Sequence, residues 1–311
     1  MGVNFWVEAM STGVVLGTPL AYAALGELVA ERSGVVNLGV EGMMLIGAVV
    51  GFIIGLKTGS AALAFIGAAL AGGALALVHG VLTISLRTNQ IVMGLTLTIL
   101  GTGLSSYLGK NYGYQPLTHT LGIINVPLLD GIPWIGKIFF RHDIMVYLLP
   151  VAVATVAFVI SRTQLGLWLR ATGESPAAAD AAGVPVFAVR YGAVAFGGML
   201  AGIAGAYLSV VYTRSWSDQM TAGRGWIAIA LVIFASWRPV LILPGALLFG
   251  FIDALNFQLQ AKGVSVPSQY LSMMPYIFTL IILTLVWTRQ RRRNWGMPLA
   301  LGSPYEREAR E

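Results

Sequence analysis

The residues with the clearest chemical potential are ionisable and amide side chains within long apolar stretches. Glu41 and Asp253 are acids in such stretches, and because charge is costly inside a bilayer, residues of this kind are functional candidates by default. Asn37 precedes Glu41 by four positions and therefore shares its helical face, and Asn256 follows Asp253 by three. Carboxylates and amides in this arrangement can hydrogen-bond a polar solute along a path. The predicted pathway residues are Asn37, Glu41, Asn89, Gln90, Thr96, Thr98, Asp253 and Asn256.

The same side chains could instead form hydrogen bonds between helices, which also hold transmembrane bundles together. For any single residue this alternative stays open. The set as a whole favours a polar path, because a bundle that only packs needs few such groups.

The sequence gives little support for a catalytic or metal-binding site. The sequence has no cysteine, and His79, His119 and His142 lack the spacing of metal ligands, so no metal site is predicted. Gly131 to Lys137 resembles a phosphate-binding loop, but Ile138 replaces the Ser or Thr that binds magnesium. With no nucleotide-binding motif, the chain is not expected to hydrolyse ATP itself, and an intramembrane enzyme is a distant alternative.

The elements that position these residues follow from the composition. Of 311 residues, 57% are hydrophobic and 10% charged, and the mean hydropathy is +0.78, whereas a soluble domain carries about 25% charged residues. A soluble enzyme, a nucleic-acid-binding module and a disordered chain are therefore disfavoured. A spanning helix needs about 20 apolar residues, and the predicted fold is an all-α, polytopic transmembrane helix bundle of about nine spans (8–10). The segments are 5–25, 35–56, 61–86, 90–109, 143–161, 190–212, 225–237, 239–260 and 269–288.

The net charge of +6 is interpreted as a sign of orientation rather than of nucleic-acid binding. Lys and Arg collect in cytoplasmic loops, and the larger share of the 19 basic residues falls on one side once the C-terminus is placed inside. Residues 1–288 then form a single transmembrane domain whose N-terminus lies outside. It carries an external loop, 110–142, and a cytoplasmic loop, 162–189. Residues 289–311 form a basic cytoplasmic tail.

The cytoplasmic loop contains a short predicted helix. Ser175 is a good N-cap and Pro176 suits the first helical position, while Gly183 ends the helix. Such a helix is too short to be stable alone. We therefore expect it to pack against a partner, with a simple connector as the alternative.

An inverted repeat with broken helices is predicted from two similar segments. Asn37–Gly51 resembles Thr221–Ala235, since each opens with a polar, Gly-rich stretch and continues into small apolar residues. In the predicted topology the two segments enter the membrane from opposite sides. In transporters, interrupted segments at matching positions indicate the pathway, and the short segment 225–237 fits a broken helix.

Five motifs carry a family resemblance. Glu31–Gly47 (ERSGVVNLGVEGMMLIG), Thr88–Leu95 (TNQIVMGL) and Gly173–Gly183 (GESPAAADAAG) resemble ABC-importer permeases of the branched-chain amino acid, ribose and nucleoside group. Val126–Gly136 and Leu299–Arg307 are similar to the nucleoside branch of that group. The resemblance covers nearly the whole chain.

The resemblance implies a permease subunit that translocates nucleosides, with a simple sugar such as ribose or a branched-chain amino acid as the alternative cargo. Thr98 departs from the Asn often found in the nucleoside branch, which leaves the fine choice of cargo open.

The resemblance also implies a location and partners. The chain is expected in the bacterial cytoplasmic (inner) membrane, with an extracytoplasmic solute-binding protein, a second permease subunit, typically a paralogue in a heterodimer, and an ATP-binding subunit. ATP and Mg²⁺ belong to the ATP-binding subunit, so no cofactor and no nucleic acid are expected on this chain. The residues implied to couple to that subunit are Gly173, Glu174, Ser175, Pro176, Asp180 and Gly183.

Overall fold

A computed structural model describes residues 3–113, 115–262, 270, 273–290 and 296–306. This part of the chain is mostly helical, with one short hairpin of two strands. Short π-helical segments, Val81–Ser85 and Tyr207–Tyr212, continue α3 and α9. The elements are α1 (Val3–Arg32), α2 (Val40–Thr58), α3 (Ala61–Gly80), α4 (Gln90–Gly109), β1 (Ile124–Asn125), α5 (Ile135–Phe139), β2 (Arg141–His142), α6 (Ile144–Arg162), α7 (Gln164–Glu174), α8 (Pro176–Ala181), α9 (Val186–Ala206), α10 (Arg224–Phe234), α11 (Pro239–Ala261) and α12 (Met274–Gln290).

Seven of the described helices are long and apolar enough to cross a membrane, namely α1, α2, α4, α6, α11 and the extended α3 and α9. They match seven of the predicted spans. The predicted span 225–237 is the 11-residue helix α10, which extends only about 16 Å and cannot cross about 30 Å of hydrocarbon. The predicted span 269–288 corresponds to the 17-residue α12, and positions 269, 271 and 272 lie outside the described residues. The predicted total of spans is therefore not confirmed.

The helix α1 occupies the centre of the bundle. Its apolar stretch is almost entirely buried, and it packs against α9, α10 and α11. By contrast, α4 and α6 expose most of their apolar side chains, as spanning helices do where they face lipid. The candidate residues Asp253 and Asn256 thus lie on a helix, α11, that packs directly against the buried α1.

Helix packing follows the predicted inverted repeat. α1 and α11 touch backbone to backbone, since a Cβ on Gly17 would lie 2.5 Å from the carbonyl oxygen of Ala246. α9 and α3 touch in the same way, since a Cβ on Gly202 would lie 2.1 Å from the carbonyl oxygen of Ala68. Small residues permit such close approach. In the predicted repeat, α1, α2 and α3 correspond to α9, α10 and α11. The contacts are therefore reciprocal, since α1 packs against α11 and α9 packs against α3.

One end of the bundle collects arginines. A Cβ on Gly173 would lie 2.2 Å from the carbonyl oxygen of Arg32, and Arg32 Nη2 donates to the carbonyl oxygen of Trp237 at 2.8 Å. We call this the Arg32 end, and the opposite end, where the β-hairpin lies, the His142 end. Several arginines predicted to be cytoplasmic lie at the Arg32 end, namely Arg32, Arg87, Arg170, Arg190 and Arg238. Arg291, Arg292, Arg293, Arg307 and Arg310, on which the predicted orientation also depends, lie outside the described residues.

Candidate functional site

Two helices begin face to face in the interior of the bundle. α2 starts at Val40 and α10 starts at Arg224. A Cβ on Gly225 would lie only 2.6 Å from the Cα of Glu41, so the first turns of the two helices are in contact. We call this contact the α2–α10 junction. It joins the two segments that the sequence predicted to be broken helices.

The carboxylate of Glu41 accepts three hydrogen bonds from the start of α10. Its Oε1 accepts from Thr221 Oγ1 at 2.6 Å and from the Gly223 amide at 2.9 Å, and its Oε2 accepts from the Gly225 amide at 2.6 Å. Amides at a helix N-terminus carry partial positive charge, which stabilises a carboxylate placed there. Glu41, a predicted pathway residue, therefore links the start of α2 to the start of α10 through polar contacts.

The α1–α2 linker, residues 33–39, runs between α1 and the junction in a non-helical conformation. Non-helical backbone inside a membrane bundle is stable only where other groups satisfy it. The Val36 amide donates to Gln90 Oε1 at 2.7 Å, and His79 Nε2 donates to the Val36 carbonyl oxygen at 2.9 Å. The predicted pathway residue Gln90 thus holds linker backbone.

Two further predicted pathway residues serve the same linker. Asn37 Oδ1 accepts from the Gly39 amide at 3.0 Å, and Thr98 Oγ1 donates to the Leu38 carbonyl oxygen at 3.0 Å. The Asn37 amide in turn donates to Glu27 Oε1 at 2.9 Å. Side chains from α1, α3 and α4 therefore fix the backbone that leads into α2.

An ion pair lies beside the junction. Arg224 Nη2 and Asp253 Oδ2 are 2.9 Å apart, and the two side chains are 13% and 20% exposed. Tyr212 and Tyr276 lie within electrostatic reach of both, and Tyr276 donates its hydroxyl hydrogen to the Ala222 carbonyl oxygen at 2.7 Å. Arg224 Nε is buried with no hydrogen-bond partner among the described residues. Asp253 was identified from the sequence, but its partner Arg224, which is the first residue of α10, was not.

The α9–α10 linker, residues 213–223, contains unusual backbone. Arg214, Gln219 and Ala222 adopt positive φ angles of 54°, 52° and 48°. Non-glycine residues in this region cost about 1–3 kcal/mol each and cluster at ligand clamps and switch regions. This linker is therefore the candidate moving part of the junction.

Three predicted pathway residues form their hydrogen bonds away from the junction. Asn89 caps α4 by accepting from two amides of its first turn. Thr96 is exposed and donates to a carbonyl oxygen one turn earlier in α4. Asn256 Oδ1 accepts from Gln260 Nε2 within α11. The structure thus brings Asn37, Glu41, Gln90, Thr98 and Asp253 to the junction and its linker, and leaves the other three outside.

Sequence reasoning missed two acids of α1. Glu27 and Glu31 are 1% and 3% exposed, although the predicted span 5–25 ended before them. Glu31 Oε2 accepts from Trp237 Nε1 in the turn between α10 and α11, while Glu27 holds the α1–α2 linker. The two acids tie α1 to segments that flank the junction. Their four-residue spacing, which places both on one face of a helix, was the available signal that α1 continues.

The predicted cytoplasmic helix is present as α8. Ser175 Oγ accepts from the Ala178 amide at 3.4 Å, Pro176 is the first helical residue, and Gly183 beyond the helix has a φ of +84°. α8 packs against α7 and α9. The helix stops at Ala181, close to where the sequence signals end it.

The predicted coupling residues differ in exposure. Glu174, Ser175 and Gly183 are exposed, Pro176 and Asp180 are half-buried, and Gly173 is buried. The exposed members form one surface at the Arg32 end. Gly173 instead allows α7 to contact the end of α1.

The loop 110–142 covers a cavity at the His142 end. Its strands pair Ile124 with His142 and Asn125 with Arg141. The cavity has a volume of about 330 Å³. Its polar lining comprises Ser11, Thr12, Arg141, His142, Asp143, Tyr212 and Arg214. Tyr212 also lies near the Arg224–Asp253 pair, so one residue of the cavity lining is close to the junction.

Comparison with known proteins gives consistent matches. The family described as branched-chain amino acid transport system, permease component, matches residues 9–286. A Haloferax volcanii protein provisionally named as a glucose ABC transporter permease is 41% identical, covering 98% of this chain and 99% of its own. A nucleoside ABC transporter permease of Lactococcus lactis is 37% identical over 91% and 93%, and a guanosine ABC transporter permease of Bacillus subtilis is 34% identical over 94% of each chain. No solved structure matches the chain.

Proposed function

The chain belongs to the family of permease components of branched-chain amino acid transport systems, and from this premise we propose that it forms the membrane pathway of an ABC importer for nucleosides. The observation that carries this proposal is the similarity, at 37% and 34% identity, to permeases named for nucleoside and guanosine transport. The motif Leu299–Arg307, which resembles the nucleoside branch, agrees with it.

A sugar is the second candidate cargo. The 41% identity to a protein provisionally named for glucose transport favours it. The polar groups near the junction, an ion pair and two tyrosines, suit the hydroxyls of a ribosyl group and of a hexose alike.

Uptake measurements distinguish these cargoes. Cells that express the complete transporter are expected to accumulate labelled guanosine, and unlabelled nucleosides should compete while glucose, ribose and leucine should not. Cells that lack the ATP-binding partner serve as the control. Competition by glucose alone would establish the sugar instead, and the absence of ATP-dependent uptake for every solute would contradict a transport function.

The proposed pathway passes the α2–α10 junction. Glu41 is buried between two helix N-termini, and Asp253 and Arg224 lie beside it. Tyr212 lines the cavity at the His142 end and also lies near that ion pair. Asn37, Gln90 and Thr98 act on the pathway by holding the α1–α2 linker in place.

The Arg32 end is proposed to face the cytoplasm, with the C-terminus inside, because arginines gather there. A separate subunit then supplies ATP hydrolysis and binds ATP and Mg²⁺, docking on the exposed surface of Glu174, Ser175 and Gly183. The ATP-binding subunit would then cover the exposed side of α8, whose other side packs against α7 and α9.

A second permease subunit, a paralogue in a heterodimer, is proposed to pack against α4. The exposed face of this helix includes Thr96 and Gly103, and a Cβ on Gly103 would meet nothing within 4 Å. The solute-binding protein is proposed to dock on loop 110–142. The mass of the purified complex tests whether it contains two permease subunits together with these partners.

The coupling surface is tested by Glu174→Lys. Reversing an interface charge is expected to weaken binding of the ATP-binding subunit about tenfold, which corresponds to about 1.4 kcal/mol. Less of that subunit should co-purify with the permease, while the permease itself stays folded because Glu174 is exposed.

Glu8→Lys is the matched control for this experiment. Glu8 is also exposed but pairs with Lys137 at the His142 end. Its reversal should leave co-purification unchanged. Equal retention of the ATP-binding subunit by both variants would remove Glu174 from the coupling surface.

A further inference from the structure

Residues 296–306, which we call the strap, cross the Arg32 end of the bundle. The Ala300 amide donates to the Gly173 carbonyl oxygen at 2.9 Å, near the end of α7. The Gly302 amide donates to the Gly34 carbonyl oxygen at 3.1 Å, in the α1–α2 linker. One short segment is therefore bonded both to the coupling region and to the backbone that leads into the junction.

Tyr305 connects the strap to α8 itself. Its side chain is buried and packs in one apolar cluster with Ala179 of α8 and with Val184 and Val186. Its ring lies 5.7 Å from the ring of Phe187, measured between centroids. A buried aromatic side chain contributes large apolar contact, so a displacement of α8 would displace Tyr305.

Arg190 connects the strap to the linker a second time. This α9 side chain is 1% exposed, and its Nε donates to the Ser33 carbonyl oxygen at 3.2 Å while Nη1 donates to the Ser303 carbonyl oxygen at 3.4 Å. A cation at this position also suits the C-terminal end of α1. The guanidinium therefore bridges linker and strap from a fixed helix.

We propose that the strap transmits movement of α8 to the α1–α2 linker, and that Tyr305 is its positioning residue on α8. The proposal rests on the proposed docking of an ATP-binding subunit at the coupling surface. It gives a physical role to the motif Leu299–Arg307, within its described residues. The path of contacts runs from α8 to Tyr305 by apolar packing, and from Gly302 to the linker by a hydrogen bond. Gln90 and Thr98 hold that linker at the junction.

Tyr305→Ala tests this role in the complete transporter, reconstituted in vesicles with its ATP-binding and solute-binding partners. Solute uptake and ATP hydrolysis are measured in the same vesicles. The number of solute molecules taken up per ATP should fall at least about fivefold, the lower range of typical coupling between sites. ATP hydrolysis and retention of the ATP-binding subunit should persist.

Leu299→Ala is the matched control, because Leu299 lies in the same strap but is 81% exposed. It should keep the wild-type ratio. Gly302→Pro tests the other end without touching Tyr305: it removes the amide that bonds to Gly34, and proline cannot adopt the φ of +78° found there. It should lower the ratio as Tyr305→Ala does.

The outcomes separate the two proposals. An unchanged ratio in Tyr305→Ala, or a parallel decrease of uptake and hydrolysis, would overturn transmission through the strap and leave the transport function intact. Loss of the ATP-binding subunit from Tyr305→Ala would show that Tyr305 contributes to docking of that subunit, and this result would also overturn transmission through the strap. Failure of the proposed function would show instead in the wild-type transporter, as uptake that does not depend on ATP.

Discussion

Replacing Glu41 with alanine is expected to lower solute uptake per assembled transporter about a hundredfold, because three donors, two of them in buried hydrogen bonds, would lose their acceptor. Each unpaired buried donor costs about 1–3 kcal/mol, and about 2.8 kcal/mol already corresponds to a hundredfold change in an equilibrium. The cost falls on the contact between α2 and α10. The packing of α1, α3, α9 and α11 is not touched, so the bundle should still assemble.

Two variants separate the contributions of charge and hydrogen bonding at Glu41. Glu41→Gln keeps one oxygen acceptor but turns an amide group towards a backbone donor. We therefore expect its solute uptake to lie between those of the wild type and Glu41→Ala. Glu8→Ala is the control for removing a carboxylate from a helix, because Glu8 is exposed and pairs with Lys137 at the surface, a type of contact worth about 1 kcal/mol at most. Uptake is normalised to the amount of assembled complex. Wild-type uptake by Glu41→Ala would reduce Glu41 to a packing role.

Features that depend on local sequence were predicted well. Ser175, Pro176 and Gly183 mark the ends of α8 by capping chemistry that involves only neighbouring residues. The broken helix α10 was also accessible, because a polar, Gly-rich start followed by a short apolar run is visible in the sequence alone.

Features that depend on distant residues were predicted only in part. The residue types of Gln90 and Thr98 indicated a polar role, but their partners, the backbone of Val36 and Leu38, are set by how α4 packs beside the linker. Sequence spacing carries no information about that contact.

The limits of α1 show why hydropathy places acids poorly. A window of apolar residues ends near Glu27, yet the helix continues to Arg32. Glu27 and Glu31 are tolerated inside the bundle because Asn37 and Trp237 donate hydrogen bonds to them. Arg224 was not identified for the same reason, since its partner Asp253 lies on another helix. In both cases the compensating group is remote in the sequence.

The junction also requires helices that approach very closely, and this requirement yields the second large expected effect. Gly202→Val should sharply lower the yield of folded permease and its melting temperature. A Cβ at Gly202 would lie 2.1 Å from the Ala68 carbonyl oxygen, and a Cβ on Gly47 would lie 2.4 Å from the Gly202 Cα. α2 and α3 both meet α9 here, so a branched side chain would push two helices away at once. Overpacking of this kind costs about 3 kcal/mol at the upper end of its usual range.

Gly192→Val is the matched control for Gly202→Val, because both glycines lie in α9 and both gain the same side chain. A Cβ at Gly192 would meet nothing within 4 Å, and any effect of helix propensity is shared by the two variants. The difference in melting temperature between them therefore measures the close packing of α9 alone. Equal yields and equal melting temperatures would mean that α2, α3 and α9 can move apart without loss of stability. The polar groups at Glu41 would then have to hold α2 in line with α10.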